Sequence, residues 1–210
     1  MMTIKTLLDF IAQPESRGDY NVVWGGIKPK DRPKRKLVQM TIAEVLAWQD
    51  SIDARYPSEA AGRYQIMEDT LRPLPLAAGL VPSDLFNEAN QDALATVLLK
   101  RRGLDRYLAG GMSAEDFANN LAREWASLPL VTGPHRGRSY YAGDGLNKSH
   151  VSVDDFLAAV RACKPATHWG IPETPAQKPV APISPDPSPV LLPQPSILAR
   201  LIAWLFGKGA

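Results

Sequence analysis

The sequence changes character abruptly at Lys164, and this change limits where a folded domain can lie. From Lys164 to Ser196, prolines recur every few residues and no periodic apolar stripe is present. Such a composition cannot build a packed core and favours an extended, polyproline-like chain. We therefore predict three parts: a folded domain over residues 1–163, a Pro-rich linker over 164–196 and a short terminal segment over 197–210.

The first part has the periodicity of amphipathic helices. Apolar residues spaced i, i+3, i+4 and i+7 predict a helix from Thr3 to about Gln13. Pro14 lacks a backbone donor, so we expect the last turn to bend or close just before Glu15. Further helices should begin where a hydroxyl residue precedes an acid by three positions, as in Thr41 with Glu44, Ser113 with Asp116 and Ser152 with Asp155. The sequence thus predicts a mainly α domain.

Glu15 places a carboxylate at the predicted end of the first helix. A carboxylate there can lie half-buried at the lip of a cleft. Partial burial raises a carboxyl pKa because desolvation disfavours the charged form, and a general acid near neutral pH needs such a pKa. The alternative is a solvated glutamate in a turn, which is the common fate of acids on surface loops.

A second segment, Gly62-Arg63-Tyr64-Gln65, combines a glycine, an aromatic ring and an amide. Gly62 would let the backbone approach a ligand closely, Tyr64 would offer a flat face to a sugar ring, and Gln65 could exchange hydrogen bonds with an N-acetyl group. The competing interpretation makes Tyr64 an ordinary core aromatic. The residues alone leave both open.

Cations crowd the segment that follows the first helix, with only Asp31 opposing them: Lys28, Lys30, Arg32, Lys34, Arg35 and Lys36. Such a run is usually a solvated loop. The functional alternative is attraction to an anionic polymer of the cell envelope, which salt would weaken. Nucleic acid is not predicted as a partner, because stacking aromatics are not interleaved in the run.

Composition excludes several classes of function. The formal net charge is only +2, so no polyanionic partner is demanded. One cysteine, Cys163, excludes an internal disulfide and a Cys-based zinc cluster. The three histidines, His135, His150 and His168, are scattered, so a zinc amidase is not favoured and we predict no metal or cofactor. The amino terminus shows no secretory signal, which predicts synthesis in the cytoplasm.

Three runs, PESRGDYN, AAGRYQIM and NNLAREWASLP, occur in this order between residues 14 and 129, within a stretch of similarity over roughly residues 3–162. Together they resemble the lysozyme-like endolysins of bacteriophages, especially the lambda-type lytic transglycosylases. The resemblance implies an α+β lysozyme-like fold with a small β-hairpin beside the cleft. It also implies cleavage of the MurNAc–GlcNAc β-1,4 bond of peptidoglycan in host-cell lysis, with Glu15 catalytic and Ser16, Gly62, Tyr64 and Gln65 holding the glycan.

A fainter resemblance concerns Ser139-Tyr140-Tyr141-Ala142-Gly143, which is similar to the Ala-Tyr-Asn motif of cellular lytic transglycosylases. The Asn of that motif is absent here. The resemblance therefore carries over only Tyr140 or Tyr141, as residues that line the cleft.

Two reactions are possible on this fold, and they differ in the group that attacks the anomeric carbon: water in a hydrolase, or a hydroxyl group of the substrate itself in a lytic transglycosylase. Hydrolytic glycosidases use a second carboxylate, and in hydrolytic phage lysozymes an Asp and a Thr follow the Glu. Here no Thr lies between Glu15 and Met40, and Asp19 and Asp31 are the only acids in that interval. We therefore favour a lytic transglycosylase with one acid, and keep Asp19 as a possible second acid for a hydrolytic muramidase. A non-catalytic module that binds glycan or membrane is the third alternative.

The terminal segment contains an apolar run, Ile197 to Phe206, with cations nearby. It is too short to span a bilayer, which takes about 20 apolar residues. We predict an amphipathic helix lying on a membrane, with contacts from Arg200, Trp204, Phe206 and Lys208. The alternatives are docking on the catalytic domain or pairing with another copy. The protein is expected to act in the periplasm and cell wall. It would therefore have to be released from the host cytoplasm by a separate holin-like protein.

Overall fold

The computed structural model describes residues 4–143 and 147–163. The linker and the terminal helix predicted from the sequence, with Arg200, Trp204, Phe206 and Lys208, lie outside the described residues. The described part is mainly helical. Its α-helices are α1 (Ile4–Ser16), α2 (Ile42–Asp53), α3 (Glu68–Leu71), α4 (Leu74–Ala77), α5 (Glu88–Arg101), α6 (Leu104–Leu108), α7 (Ala114–Ala122) and α8 (Val153–Ala162), with short 3-10 turns at Pro29–Asp31 and Leu37–Gln39.

Side-chain caps begin the longer helices, as the sequence predicts. Thr41 and Glu44 form a reciprocal capping box at the start of α2. Ser113 accepts a hydrogen bond from the Asp116 backbone amide, and Ser152 does the same for Asp155. Each cap satisfies a backbone donor that the first turn leaves without a helical partner. The predicted starts of these helices are confirmed.

Helix α1 is longer than predicted, because it continues through Pro14 to Ser16. Hydrogen bonds on both sides of the proline hold the last turn together: Ser16 Oγ donates to Ala12 O at 3.3 Å and Arg17 N donates to Gln13 O at 3.0 Å. The helix ends where Arg17 and Gly18 take φ values of 57° and 84°. Glu15 therefore lies within the final turn. Of the two outcomes expected at Pro14, closure of the helix before Glu15 was wrong, and a bend stays a prediction.

The core forms where α7 and α8 pack together and α1 packs against α5 and α8. Phe10 of α1 stacks on Phe156 of α8 with ring centroids 6.0 Å apart. Tyr107 of α6 stacks on Phe117 of α7 at 4.9 Å. Helix α7 ends at Ala122, so the buried Trp125 lies in the segment that follows it. These contacts fix α1, and with it Glu15, against the rest of the domain.

The region predicted as a small β-hairpin contains single antiparallel bridges in the described residues. Ala61 pairs with both Val23 and Ile66. Between Ala61 and Ile66 the chain makes a tight turn, in which Gly62 and Gln65 have φ values of 76° and 47°. This Gly62 turn (residues 62–65) lies beside the end of α1.

No helix in the described residues combines the length and the apolar content that crossing a bilayer would take.

Candidate active site

Three segments that are distant in sequence meet at the end of α1. Ser16 Oγ donates to Arg63 O at 2.8 Å, which joins α1 to the Gly62 turn. Trp125 Nε1 donates to Tyr64 O at 3.2 Å, which joins the same turn to the segment after α7. The three runs identified in the sequence therefore converge at one place in the fold.

Glu15 lies at this meeting point with a partly buried side chain. Ser127 Oγ donates a hydrogen bond of 2.5 Å to Glu15 Oε1. Burial raises the pKa of Glu15 to about 7, while hydrogen bonds from the Ser127 side chain and backbone act in the opposite direction. A carboxyl group with this pKa is present in both protonation states near neutral pH. It can donate a proton in one step and accept one in the next.

Ser127 is the residue of this site that sequence reasoning missed. It lies in the run Trp125-Ala126-Ser127-Leu128-Pro129, which carried part of the family resemblance but gave Ser127 no role. The side chain is buried and its carbonyl accepts from His150 N at 2.9 Å. Its position in that run was the available signal, but nothing local indicates a contact with Glu15.

Ser16 serves the fold around Glu15. Its side chain is buried. The hydroxyl is shared between Ala12 O and Arg63 O, and it also accepts from Gly18 N at 3.2 Å. The structure therefore places Ser16 where it holds the end of α1 to the Gly62 turn, with its polar atom already engaged.

Gly62 is required by packing. A Cβ atom at this position would meet Gln91 Oε1 at 2.3 Å, and the φ of 76° disfavours any side chain. Gln91 Oε1 accepts from Arg63 N at 2.9 Å, and Gln91 Nε2 donates to Tyr20 O at 3.1 Å. A buried glutamine side chain therefore makes a close approach at Gly62.

Tyr64 lies in the core with only 1% of its surface exposed. Its hydroxyl donates to Asp92 Oδ1 at 2.6 Å. A ring enclosed in this way presents no open face, so the prediction that Tyr64 stacks on a sugar is corrected in favour of the core interpretation. Gln65 is half-buried, and its Nε2 donates to Gly62 O at 2.8 Å and Val22 O at 3.2 Å.

Arg63, whose side chain is buried, ties the Gly62 turn to two helices through ion pairs with partly exposed acids. The guanidinium pairs with Asp9 of α1 at 2.6 Å and with Asp92 of α5 at 3.4 Å. It also donates to the Tyr20 hydroxyl at 2.8 Å and lies over the Tyr20 ring. Removing one partner from such a network leaves a poorly compensated charge. These contacts therefore hold the Gly62 turn in position next to the end of α1, which carries Glu15.

The two acids considered as a second carboxylate are both engaged elsewhere. Asp19 is exposed and its Oδ1 accepts from the backbone amide of Asn21 at 2.8 Å. Asp31 accepts from the Tyr56 hydroxyl at 2.6 Å and from Arg55 at 2.7 Å. These two hydrogen bonds hold the pKa of Asp31 below its ordinary value. Neither acid contacts Glu15.

Tyr140 and Tyr141 form an aromatic pair beyond the segment that carries Ser127. Their rings meet edge to face with centroids 5.1 Å apart. Tyr140 is 49% exposed and Arg123 lies over its ring, whereas the Tyr141 hydroxyl donates to Arg123 O at 2.8 Å. Of the aromatic residues predicted to bind glycan, Tyr140 is therefore the one with an accessible ring.

In residues 4–143 and 147–163, no group of three or more His, Cys, Asp or Glu side chains is placed to hold a metal ion.

Comparison with known proteins identifies the family. A family model of endolysins matches residues 35–155, more than half of the chain. The match covers the Gly62 turn and Ser127 but begins after Glu15, so the position of Glu15 in the site rests on the geometry described above. No curated protein and no solved structure matches the chain. The chain belongs to the endolysin family, the phage enzymes that degrade peptidoglycan to lyse the host cell.

Proposed function

We propose that this endolysin is a lytic transglycosylase that cleaves the MurNAc–GlcNAc β-1,4 bond with Glu15 as its only catalytic carboxyl group. The observation that carries the proposal is the pKa of about 7 at Glu15, in a partly buried position where Ser127 holds one carboxyl oxygen. One such group is sufficient for a reaction in which the substrate supplies its own nucleophile.

The first step is protonation of the leaving glycosidic oxygen by Glu15. The bond from that oxygen to the anomeric carbon of the muramic acid then breaks through an oxocarbenium-like transition state. The carboxylate that remains is stabilised by the hydrogen bond from Ser127. A hydrogen bond to the charged form favours that form, so Ser127 lowers the cost of giving up the proton.

The second step closes a ring. The C6 hydroxyl of the same muramic acid attacks the anomeric carbon, and the ionised Glu15 removes the proton of that hydroxyl. The products are a 1,6-anhydro-muramyl end and a new free hydroxyl on the released sugar. No water is consumed, and Glu15 returns to its protonated form.

The contacts of Asp31 favour this reaction over hydrolysis by that acid. A hydrolytic partner of Glu15 would have to act as nucleophile or as base for a water molecule. Asp19 and Asp31 are committed to a local turn and to an ion pair, respectively. A hydrolytic muramidase would therefore have to free Asp31 from its ion pair with Arg55 or use Asp19, whose carboxylate is exposed.

Substitution of Glu15 tests the proposal. Glu15→Gln keeps the shape and a hydrogen-bond acceptor for Ser127 but cannot release a proton, so release of soluble fragments from purified peptidoglycan should fall by at least about 100-fold. Glu88→Gln, at an exposed glutamate of α5, is the matched control and should retain activity. Activity of Glu15→Gln within a factor of two of wild type would rule out this role.

We further propose that the chain is made in the host cytoplasm, is released by a holin-like protein and uses residues 197–210 to contact a membrane. The apolar run from Ile197 to Phe206 and the cations Arg200 and Lys208 support membrane contact. The Pro-rich residues 164–196 would give the terminal segment reach from the catalytic domain.

A further inference from the structure

The segment of residues 28–36, which we call the basic loop, is anchored to the fold along its length. The residues that flank it, Ile27 and Leu37, are each 1% exposed. A 3-10 turn, Pro29–Asp31, shapes its first half. Trp48 of α2 donates its indole N–H to Asp31 O at 2.9 Å. The backbone of the loop is therefore held to the fold, while its cationic side chains are solvated.

Asp31, the only acid in the basic loop, is largely buried. Arg55 and Tyr56 both donate to the Asp31 carboxylate, at 2.7 Å and 2.6 Å, and only 13% of that side chain is exposed. Arg55 belongs to the chain just after α2, so the charge of Asp31 is balanced from outside the loop. The single acid of the loop is thus shared between Arg55 and the loop cations, since Lys30, in addition to the hydrogen bonds from Tyr56 and Arg55, also lowers the pKa of Asp31.

Four lysines of the loop, Lys28, Lys30, Lys34 and Lys36, are exposed and form no ion pair with any described residue. The two arginines differ from them. Arg32 donates its Nε to Ile27 O at 3.0 Å, and Arg35 pairs with Glu44 at 2.5 Å. Like charges held close together repel unless an anion lies between them. The four lysines therefore present a surface suited to several separate anionic groups.

The basic loop leaves the fold beside the candidate active site. Val22 O accepts from Gly62 N at 2.8 Å, and Trp24 N donates to Ala60 O at 3.0 Å. The loop begins four positions after Trp24. A peptidoglycan strand held at Glu15 extends far beyond the cleaved bond, and the loop belongs to the segment of the chain that is bonded to the Gly62 turn.

We propose that the lysines of the basic loop bind the free carboxylates of the peptide branches on the peptidoglycan strand. The proposal rests on the proposed function, since Glu15 must hold the glycan for the branches to reach the loop. Peptide branches recur along the strand, so separate lysines meet separate carboxylates. Each exposed contact is weak and is screened by salt, and the attraction is the sum of several.

Binding to insoluble peptidoglycan sacculi tests this without relying on cleavage. The full chain carrying Glu15→Gln is the parent. The loop variant adds Lys28→Gln, Lys30→Gln and Lys34→Gln. The matched control adds Lys100→Gln, Arg106→Gln and Lys148→Gln, which removes the same charge from exposed positions that form no ion pair with a described residue. Co-sedimentation at low salt gives the apparent affinity of each protein.

The loop variant should bind about fivefold more weakly than the parent, and the control should bind like the parent. The difference should disappear in high salt and on sacculi whose carboxylates have been converted to amides. Equal affinity of loop and control variants would overturn the proposal. A loss of affinity that persists on the amidated sacculi would also overturn it, because carboxylates would then not be the ligand. Failure of the proposed function is read separately, as absence of cleaved fragments with the wild-type protein.

Discussion

At the scale of single residues, two opposed effects set the chemistry of Glu15. Burial raises its pKa to about 7, and the hydrogen bonds from Ser127 limit that rise. The balance gives a carboxyl group that gains and loses a proton near neutral pH. A solvated glutamate would be ionised almost entirely at that pH and could not serve as the acid.

Ser127→Ala should shift the pH–rate profile. Without the hydroxyl donor the ionised form of Glu15 is less stable, so its pKa moves further up and the alkaline limb of the profile moves to higher pH. The maximal rate should fall about tenfold, because the carboxyl group is no longer oriented and its charged form is less stabilised. Ser127→Thr keeps a hydroxyl donor and should return the alkaline limb of the profile to its wild-type pH. A profile of unchanged shape in Ser127→Ala would contradict this role.

Glu15→Gln should stabilise the fold at alkaline pH. The Glu15 pKa is about 7 in the folded state, against an ordinary value of 4.5. The folded state therefore holds its proton more tightly than the unfolded state, and ionisation costs stability as pH rises from 4.5 to about 7. Above that range the free energy of unfolding of the variant should be about 1–3 kcal/mol higher than that of the wild type. The two proteins should converge below that range. Urea denaturation at both ends measures this, and a constant difference across pH would contradict it.

At the scale of elements, the Gly62 turn keeps its shape because Gln91 packs directly against Gly62, where a side chain would not fit. A Cβ atom at Gly62 would meet Gln91 Oε1 at 2.3 Å, whereas a Cβ atom at Gly79 would meet nothing within 4 Å. Both glycines have positive φ, of 76° and 71°. The pair therefore separates the cost of the clash from the cost of backbone strain.

Gly62→Ala should lower the free energy of unfolding by about 2–4 kcal/mol, and Gly79→Ala by about 1 kcal/mol. Urea denaturation of the two variants gives the comparison. Equal losses would show that the contact with Gln91 does not hold the turn.

Elements that depend on neighbours in sequence could be predicted, and contacts across the chain could not. The starts of α2, α7 and α8 follow from caps that act over three positions. The hydrogen bond from Ser127 to Glu15 spans 112 positions, and no local pattern encodes it. The burial of Tyr64 depends likewise on Asp92, which belongs to another helix. The family resemblance indicated the three converging runs but not which atoms in them meet.

At the scale of the whole molecule, the site combines residues that precede the region matched by the family model with residues inside that region. Glu15 belongs to α1, before residue 35, and Ser127 belongs to the matched region. The Asp9–Arg63–Asp92 ion pairs and the packing of α1 on α5 and α8 join these parts. The acid is thus positioned by the whole domain and not by its own segment.

Removal of residues 164–210 should separate catalysis from access to the wall. Because the residues that form the site lie before Lys164, the truncated protein should digest purified peptidoglycan at the wild-type rate. Its lysis of whole cells from outside should fall about tenfold if the terminal segment acts on a membrane. Turbidity assays on the two substrates give both rates. Equal lysis of whole cells by both forms would exclude the membrane role.

The most direct test of the central claim is mass spectrometry of the fragments that the full-length wild-type protein releases from purified peptidoglycan in ¹⁸O-labelled water. A lytic transglycosylase predicts 1,6-anhydro-muramyl ends without label, and their loss in Glu15→Gln. Reducing ends carrying ¹⁸O would contradict the account, would make the protein a hydrolase and would direct attention to Asp19 and Asp31. Intact polymer with both proteins would instead leave a module that binds glycan without cleaving it.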